Sequence, residues 1–374
     1  EVVWNRELVT SREQDVEPRP GHNVTLTIDA GLQHIVEAEL AEAVQKFSPE
    51  SASSIVVRPK TGEILALANF PTFDPNHFGD APPSALRNRA ITDCYEPGST
   101  FKIVAISAAL NEELVELGTR FDCEGGRTFF AGKPLRDEHP SGILTVEEIV
   151  GKSSNIGTFK VAYQLGASRL YQYIRNYGFG SVSGIPLLAE ENGIVHPPKD
   201  WSKLSISRIP IGQGIAVTPL QMVMAMCVVA NGGRLMRPML IDRIMDDSGH
   251  VVIQNHSQQV RQAISEATAK EMVAALKTVV STNGTARKAM LDHYFVAGKT
   301  GTAQKPEQGA YLGKHVTSFV GFFPADHPEL CITVVLDDPK PVYYASSTAV
   351  PIFRKIAERA AKYLAIKPDF APGD

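Results

Sequence analysis

The stretch EPGSTFKIVAISAAL, Glu96–Leu110, sets a serine three residues before a lysine and surrounds that lysine with apolar residues. Pro97-Gly98 is good punctuation for a helix start. Phe101, Ile103, Val104, Ala105, Ile106, Ala108, Ala109 and Leu110 leave no polar stripe, and a helix apolar all round is a buried one. Ser99 then occupies the first turn with Lys102 at i+3 on the same face. Burial disfavours the ammonium form of lysine, so Lys102 is a candidate proton acceptor. A neutral lysine beside a serine hydroxyl is an activated nucleophile, the chemistry of acyl transfer. The plainer alternative is an N-capping Ser99 with Lys102 reaching back to water.

Two further stretches hold polar groups at spacings that could serve such a nucleophile. GKSSNIGT, Gly151–Thr158, places Ser153 and Asn155 two apart. In an extended or looped segment these project the same way, so a hydroxyl and an amide could relay a proton and hold a substrate carbonyl. A capping turn would need the same residue types. VAGKTGTAQK, Val296–Lys305, reads as a strand with a glycine on each side of Lys299-Thr300. Glycine within a strand marks close approach of another backbone or of a ligand. Thr300 and Thr302 share one face, and Lys299 lies on the other or is re-aimed by twist. An edge strand of this kind can dock an extended peptide, and its hydroxyls and lysine can bind a carboxylate.

The elements that must position these groups follow from periodicity. Val24–Ile28 reads as a short strand, and residues 30–47 as an amphipathic helix with Leu32, Ile35, Val36, Leu40, Val44 and Phe47 on one stripe. Ser53–Ala68 reads as a β-hairpin about the turn Pro59-Lys60-Thr61-Gly62. From about Gly98 to Val279 the pattern is mainly helical. Strand-like runs follow at 295–303, 318–323 and 330–336, then a helix over about 351–364. Strands early and late around a long helical insert predict one antiparallel sheet built from both ends of the chain.

The 374 residues are 43% hydrophobic and 21% charged, with net charge −4. That is globular composition with no basic footprint for nucleic acid. Cys94, Cys123, Cys227 and Cys331 show neither metal-ligand spacing nor disulfide density, and read as buried small hydrophobes. The longest apolar run, Met222–Ala230, falls short of the ~20 residues a membrane span needs. The chain opens on Glu1 rather than methionine, and the expectation is that an N-terminal region precedes it in the parent protein.

Each polar triplet is weak alone, but their order is not. Ser99-Thr100-Phe101-Lys102, Ser153-Ser154-Asn155 and Lys299-Thr300-Gly301 reproduce the set SxxK, SxN and KTG found in penicillin-binding proteins and class A β-lactamases. RNRAITDCYEPGSTFK, LTVEEIVGKSSNIGT, GQGIAVTPLQM with ANGG, and VAGKTGTAQ extend the likeness over nearly the whole chain. The sequence resembles the class B penicillin-binding proteins, monofunctional peptidoglycan D,D-transpeptidases. RAITDCYEPGSTFK looks more like the division-type (septal) enzyme than the elongation type, and a spore-cortex relative reads similarly.

The resemblance implies an α+β penicillin-binding/β-lactamase-like transpeptidase fold. It comprises a five-stranded antiparallel sheet flanked by helices plus an all-helical lobe, with Ser99 at their junction. Residues 1–20 would be a linker or the remnant of an N-terminal pedestal domain, and 21–374 the transpeptidase domain. By resemblance Ser99 is the nucleophile, Lys102 its base, Ser153 the proton shuttle and Asn155 a holder of the peptide amide. Lys299, Thr300, Gly301 and Thr302 would form the strand that recognises the terminal carboxylate, and the N–H groups of Ser99 and Thr302 the oxyanion hole. Residues 305–315 would be a mobile loop beside the site. The resemblance implies no metal or organic cofactor. Implied partners are peptidoglycan stem peptides, β-lactams as covalent inhibitors, and a membrane-embedded glycosyltransferase with division proteins. The implied location is the periplasmic or extracytoplasmic face of a bacterial plasma membrane, held by an N-terminal anchor outside this chain. A serine β-lactamase and a non-turnover β-lactam sensor stay open as alternatives. Against the first, no ExxxN acidic motif falls between SxN and KTG, and EENG at Glu190–Gly193 has the wrong spacing.

Overall fold

A computed structural model describes residues 20–307 and 310–370. The expected linker or pedestal remnant over residues 1–20 therefore lies, apart from Pro20, outside the described residues.

The core is one antiparallel sheet whose strands come from both ends of the chain, as the element order predicts. In chain order they are β1 (Ser51–Arg58), β2 (Glu63–Phe70), β3 (Ala297–Glu307), β4 (Ala310–Phe323) and β5 (Leu330–Asp337). In space they run β3-β4-β5-β1-β2, with every neighbouring pair antiparallel. β1 and β5 are buried along nearly their whole length, because helices cover both faces and erase the in-out alternation.

Six longer helices matter here: α1 (Ala30–Phe47), α2 (Lys102–Asn111), α3 (Asn155–Leu165), α4 (Pro219–Ala230), α5 (Glu266–Val279) and α6 (Ala349–Tyr363). α1 begins on an Asp29 cap and buries the expected stripe except Val44, which is half-buried. On one sheet face Phe319 of β4 meets Phe353 of α6 edge to face, with centroids 4.7 Å apart. On the other, Cys331 of β5 reaches the Val223 carbonyl of α4. The run too short to span a membrane, Met222–Ala230, is most of α4, and every residue of that helix is buried.

Three expectations need correction. The region from Gly98 to Val279 is not only helical. It contains small antiparallel pairs at Arg127–Phe130 with Lys133–Arg136, Arg120–Asp122 with Ile143–Thr145, and Arg234–Met236 with Gln259–Gln262. Runs of three or four residues are too short to show a period of two. The supposed mobile loop at 305–315 is largely paired strand, with register continuing to Pro306↔Tyr311 and Glu307↔Ala310. The shift in register between Gln304 and Pro306 accommodates a proline that has no N–H for the ladder. Among the cysteines, Cys123, Cys227 and Cys331 are buried but Cys94 is exposed, on the segment leading to Ser99.

Among the described residues, a second compact unit comprises residues 20–26 with 241–256. Its three-stranded sheet places Ile241–Met245 between Asn23–Leu26 and Val251–Gln254.

Candidate active site

The site begins at a backbone crossing. Gly98–Phe101 forms a single tight 3₁₀ turn that runs straight into α2, with Ser99 half-buried on it. Gly98 adopts φ +55° and donates its N–H to the Gly212 carbonyl at 3.2 Å. A Cβ on Gly212 would lie 2.1 Å from the Gly98 carbonyl oxygen, so no side chain fits there. Gly301 of β3 closes the turn from the other side. A Cβ on it would meet Ser318 Oγ at 2.6 Å and the Pro97 carbonyl at 2.8 Å. The glycine within the strand is thus the place where β3 lies directly against the serine turn.

Ser153 ends the helix Val146–Gly151 in a left-handed conformation, φ +58°. Its hydroxyl sits between two buried lysines. Lys102 Nζ is 3.1 Å from Ser153 Oγ and donates to the Ser153 carbonyl at 2.5 Å. Lys299 Nζ reaches the same Oγ at 2.9 Å. Lys102 is 2% and Lys299 0% exposed. Burial holds the Lys102 ammonium well below the usual lysine range, and the Lys299 charge pushes the same way; Asp137 and Glu138 oppose them. Burial likewise brings Lys299 down to about 7, against the pull of Glu138. A hydroxyl has one proton and two lone pairs, so Ser153 can accept from a charged Lys299 while donating to a neutral Lys102. That is the geometry of a proton relay. Among the described residues no hydrogen bond joins Ser99 Oγ to Lys102.

The remaining sequence candidates divide. Asn155 is not two apart from Ser153 along an extended segment but is the first residue of α3, and its Nδ2 donates to the Arg136 carbonyl at 2.7 Å. Ser154 between them is the N-cap, accepting from Gly157 N at 2.9 Å. On β3 the alternation puts Thr300 and Thr302 opposite Lys299 and Gly301. Thr300 Oγ1 lies 3.2 Å from Thr285 Oγ1, and exposed Thr302 accepts from Ala345 N at 3.2 Å. β3 is an edge of the sheet, so its outer backbone groups are not paired with another strand.

Sequence reasoning missed the group that orients the Ser153–Asn155 turn. Asp137 accepts from the N–H groups of Asn155 (2.5 Å) and Ile156 (2.9 Å) and from Ser154 Oγ (2.7 Å). It supplies negative charge at the N-terminus of α3 from 18 residues away. Nothing in RDEH signals that role, because the cap is made by tertiary approach rather than by a local S/T-x-x-E pattern. Gly212 was within a quoted motif, GQG, whose first glycine the turn now explains.

Comparison with known proteins bears on the family and the fold. Residues 52–358 match the penicillin binding protein transpeptidase domain family. Stage V sporulation protein D of Bacillus subtilis is 37% identical over 357 residues, which cover 94% of this chain and 55% of that protein. Peptidoglycan D,D-transpeptidase FtsI of Escherichia coli K12 is 31% identical over 350 residues, 93% of this chain and 57% of that one. The chain thus spans little more than half the length of these curated relatives. Among solved structures, penicillin-binding protein 3 of Mycobacterium tuberculosis complexed with ampicillin superposes with TM-score 0.89 at 30% identity, covering 96% of this chain and 82% of that one. With most of its length inside the family match and its fold shared with that solved structure, the chain belongs to the penicillin-binding protein transpeptidase family.

Proposed function

We propose that residues 21–374 form the catalytic domain of a class B enzyme that cross-links peptidoglycan by D,D-transpeptidation and is acylated by β-lactams. The observation that carries this reading is the convergence of two buried lysines, Lys102 and Lys299, on one serine hydroxyl, beside the Ser99 turn and the β3 edge. Names among the relatives support the reaction, and the ampicillin complex supports β-lactam binding.

In this reading Ser99 Oγ attacks the carbonyl carbon of the penultimate D-Ala and gives its proton to Lys102. The N–H groups of Ser99 and Thr302 stabilise the oxyanion. The proton passes through Ser153 to the terminal D-Ala nitrogen, the C–N bond breaks, and an ester to Ser99 remains. An amine of a second stem peptide then attacks the ester, its proton returns along the same relay, and Ser99 is regenerated. Lys299 supplies positive charge toward the substrate carboxylate, which Thr300 and Thr302 contact. Asn155 holds the peptide amide, for which its side-chain oxygen is the free end. Gly301 lets β3 stand close enough for the N–H of Thr302 to share the hole with Ser99.

The domain would work at the extracytoplasmic face of a bacterial plasma membrane, anchored by a segment outside this chain, with a membrane glycosyltransferase and division proteins. No helix among the described residues is long and apolar enough to cross a membrane. A septal role is supported by likeness to FtsI, and a spore-wall role by the 37% identity to stage V sporulation protein D.

The test is intact-protein mass spectrometry after exposure to benzylpenicillin, with Ser99→Ala alongside. A lasting one-to-one adduct that vanishes in Ser99→Ala is the expected result. Rapid drug hydrolysis would mean a β-lactamase instead, and no adduct would remove acyl transfer altogether.

A further inference from the structure

Helix α4 touches the serine turn at one residue and the sheet at the next. Thr100, beside Ser99, holds its hydroxyl 3.4 Å from Met222 Sδ. Cys331 Sγ of β5 donates to the Val223 carbonyl at 3.9 Å. In a regular helix that carbonyl is also the acceptor for the N–H four residues on, which is the N–H of Cys227. Cys331 therefore lies against the turn of α4 that carries Cys227. Both cysteines are sealed from water, Cys227 at 1% and Cys331 at 0% exposure. Burial raises the Cys331 thiol well above its ordinary pKa, and the Cys227 thiol pushes it the same way, an effect that needs the two thiols to be neighbours.

The acyl-transfer chemistry uses neither thiol. The other two cysteines are placed differently: Cys123 Sγ takes a hydrogen bond from Ser154 Oγ at 3.4 Å, and Cys94 is exposed. Only Cys227 and Cys331 meet across a helix–sheet interface. Two cysteines that converge on one turn of backbone can bond by rotation about their Cα–Cβ bonds, without moving either element far. The place is also one where a link would matter. Cys331 stands in register with Phe322 of β4 and Val57 of β1, and Phe322 with Ala297 of β3, two residues before Lys299.

We propose that Cys227 and Cys331 are a disulfide-forming pair that staples α4 to β5. The oxidant is a disulfide donor, either glutathione disulfide or an oxidised dithiol protein. One cysteine thiolate attacks the donor, breaks its S–S bond and forms a mixed disulfide; the second thiolate attacks that bond and releases the donor's other sulfur. The two cysteines lose two protons and two electrons, and the donor leaves as two thiols. Exchange takes place while the chain folds, before α4 closes on the sheet, because in water the thiols titrate near their ordinary pKa and are within reach of the donor. The proposal rests on the extracytoplasmic location given with the transpeptidase reading, since disulfides persist in oxidising compartments. The bond closes a loop of roughly a hundred residues, which restricts the unfolded chain strongly.

The experiment refolds the whole chain from denaturant in two portions, one in a glutathione redox buffer and one in excess dithiothreitol. Each is then denatured in the presence of a maleimide and weighed by mass spectrometry. All four cysteines should be labelled in the reduced portion and only two in the oxidised one, whose protease digest should contain a peptide pair joined through Cys227 and Cys331. Before denaturation the oxidised portion should melt roughly 5 °C higher than the reduced one. Cys227→Ala and Cys331→Ala should each abolish that difference. Should either variant fail to fold, the label count and the joined peptide from the parent chain still decide the matter. Four labels in both portions, a glutathione adduct in place of the bond, or a bond that includes Cys94 or Cys123 would overturn the pair. Benzylpenicillin acylation of the reduced portion tests the transpeptidase reading separately: its failure overturns that reading, whereas a missing bond leaves acylation within about twofold of normal.

Discussion

Helices α2 and α4 are both apolar and both wholly buried over most of their length, yet they are built by opposite rules. α4 satisfies every local requirement. Thr218 and Gln221 form a capping box, proline stands at the first helical position, and the Gln221 amide donates to the carbonyls of Ser181 (3.0 Å) and Asn192 (2.8 Å). α2 has no side-chain cap, is preceded by a glycine at φ +55°, and buries a lysine on a neighbour's oxygen atoms with a second lysine close by. One helix holds the core together, and the other carries an electrostatic cost beside the proposed nucleophile. Consistency across levels breaks at functional positions and holds elsewhere.

Substitutions can break this contrast, and the largest effect belongs to α2. Lys102→Met should slow penicillin acylation by about a thousandfold, the scale of losing a positioned base, while the melting temperature stays level or rises because a buried polar amine is replaced by an apolar side chain of similar length. Stopped-flow acylation and thermal melts measure both; near-normal acylation would end the base assignment.

The pH dependence of stability sharpens the same point. A lysine lowered from 10.5 to about 7 binds fewer protons folded than unfolded between those values. Stability therefore climbs as pH rises through that window, and below about 7 the full cost of the buried charge is present. Urea unfolding should show this rise in the parent and a flatter profile in Lys299→Met, with the variant more stable near pH 7 by on the order of 2–4 kcal/mol. An unchanged slope would mean that Lys299 keeps its proton throughout.

For α4 the expected direction reverses. Gln221→Leu should cost about 2 kcal/mol by breaking the box and stranding two carbonyls, read as a lower unfolding midpoint, with acylation per folded molecule unchanged.

The smallest effect is at Asp137, a positioning residue. Asp137→Asn keeps some of the hydrogen bonds but loses the charge at the start of α3, for about 1 kcal/mol. Its diagnostic is the acylation pH profile. Asp137 raises the proton affinity of Lys102, so without its charge the limb set by deprotonation of Lys102 is expected to move to lower pH, and a purely structural role would move only the melting temperature.

Much of the fold was legible because its signals are local. The stripe of α1, the all-apolar runs of α2 and α4, and the hairpin of β1 and β2 depend on residues within one or two turns of each other. The short strands between Arg120 and Gln262 were not, because three or four residues carry no readable period and their partners are set by packing. The extension of β3 and β4 past Lys305 escaped notice because a Pro-Glu-Gln-Gly run reads as loop chemistry, whereas the ladder already under way carries the strands outward.

The sequence by itself determined which residues could do chemistry. A serine at a glycine-marked turn, a lysine inside an apolar helix and a lysine in a glycine-flanked strand are statements about residue type and spacing. Only the tertiary structure decided that Lys102 and Lys299, 197 positions apart, meet at the Ser153 hydroxyl, that Asn155 turns to the Arg136 carbonyl, and that Asp137 caps α3. Proton affinity depends on burial and on charges a few ångströms away, and those distances come into being only when the sheet and the helices around it close on one another.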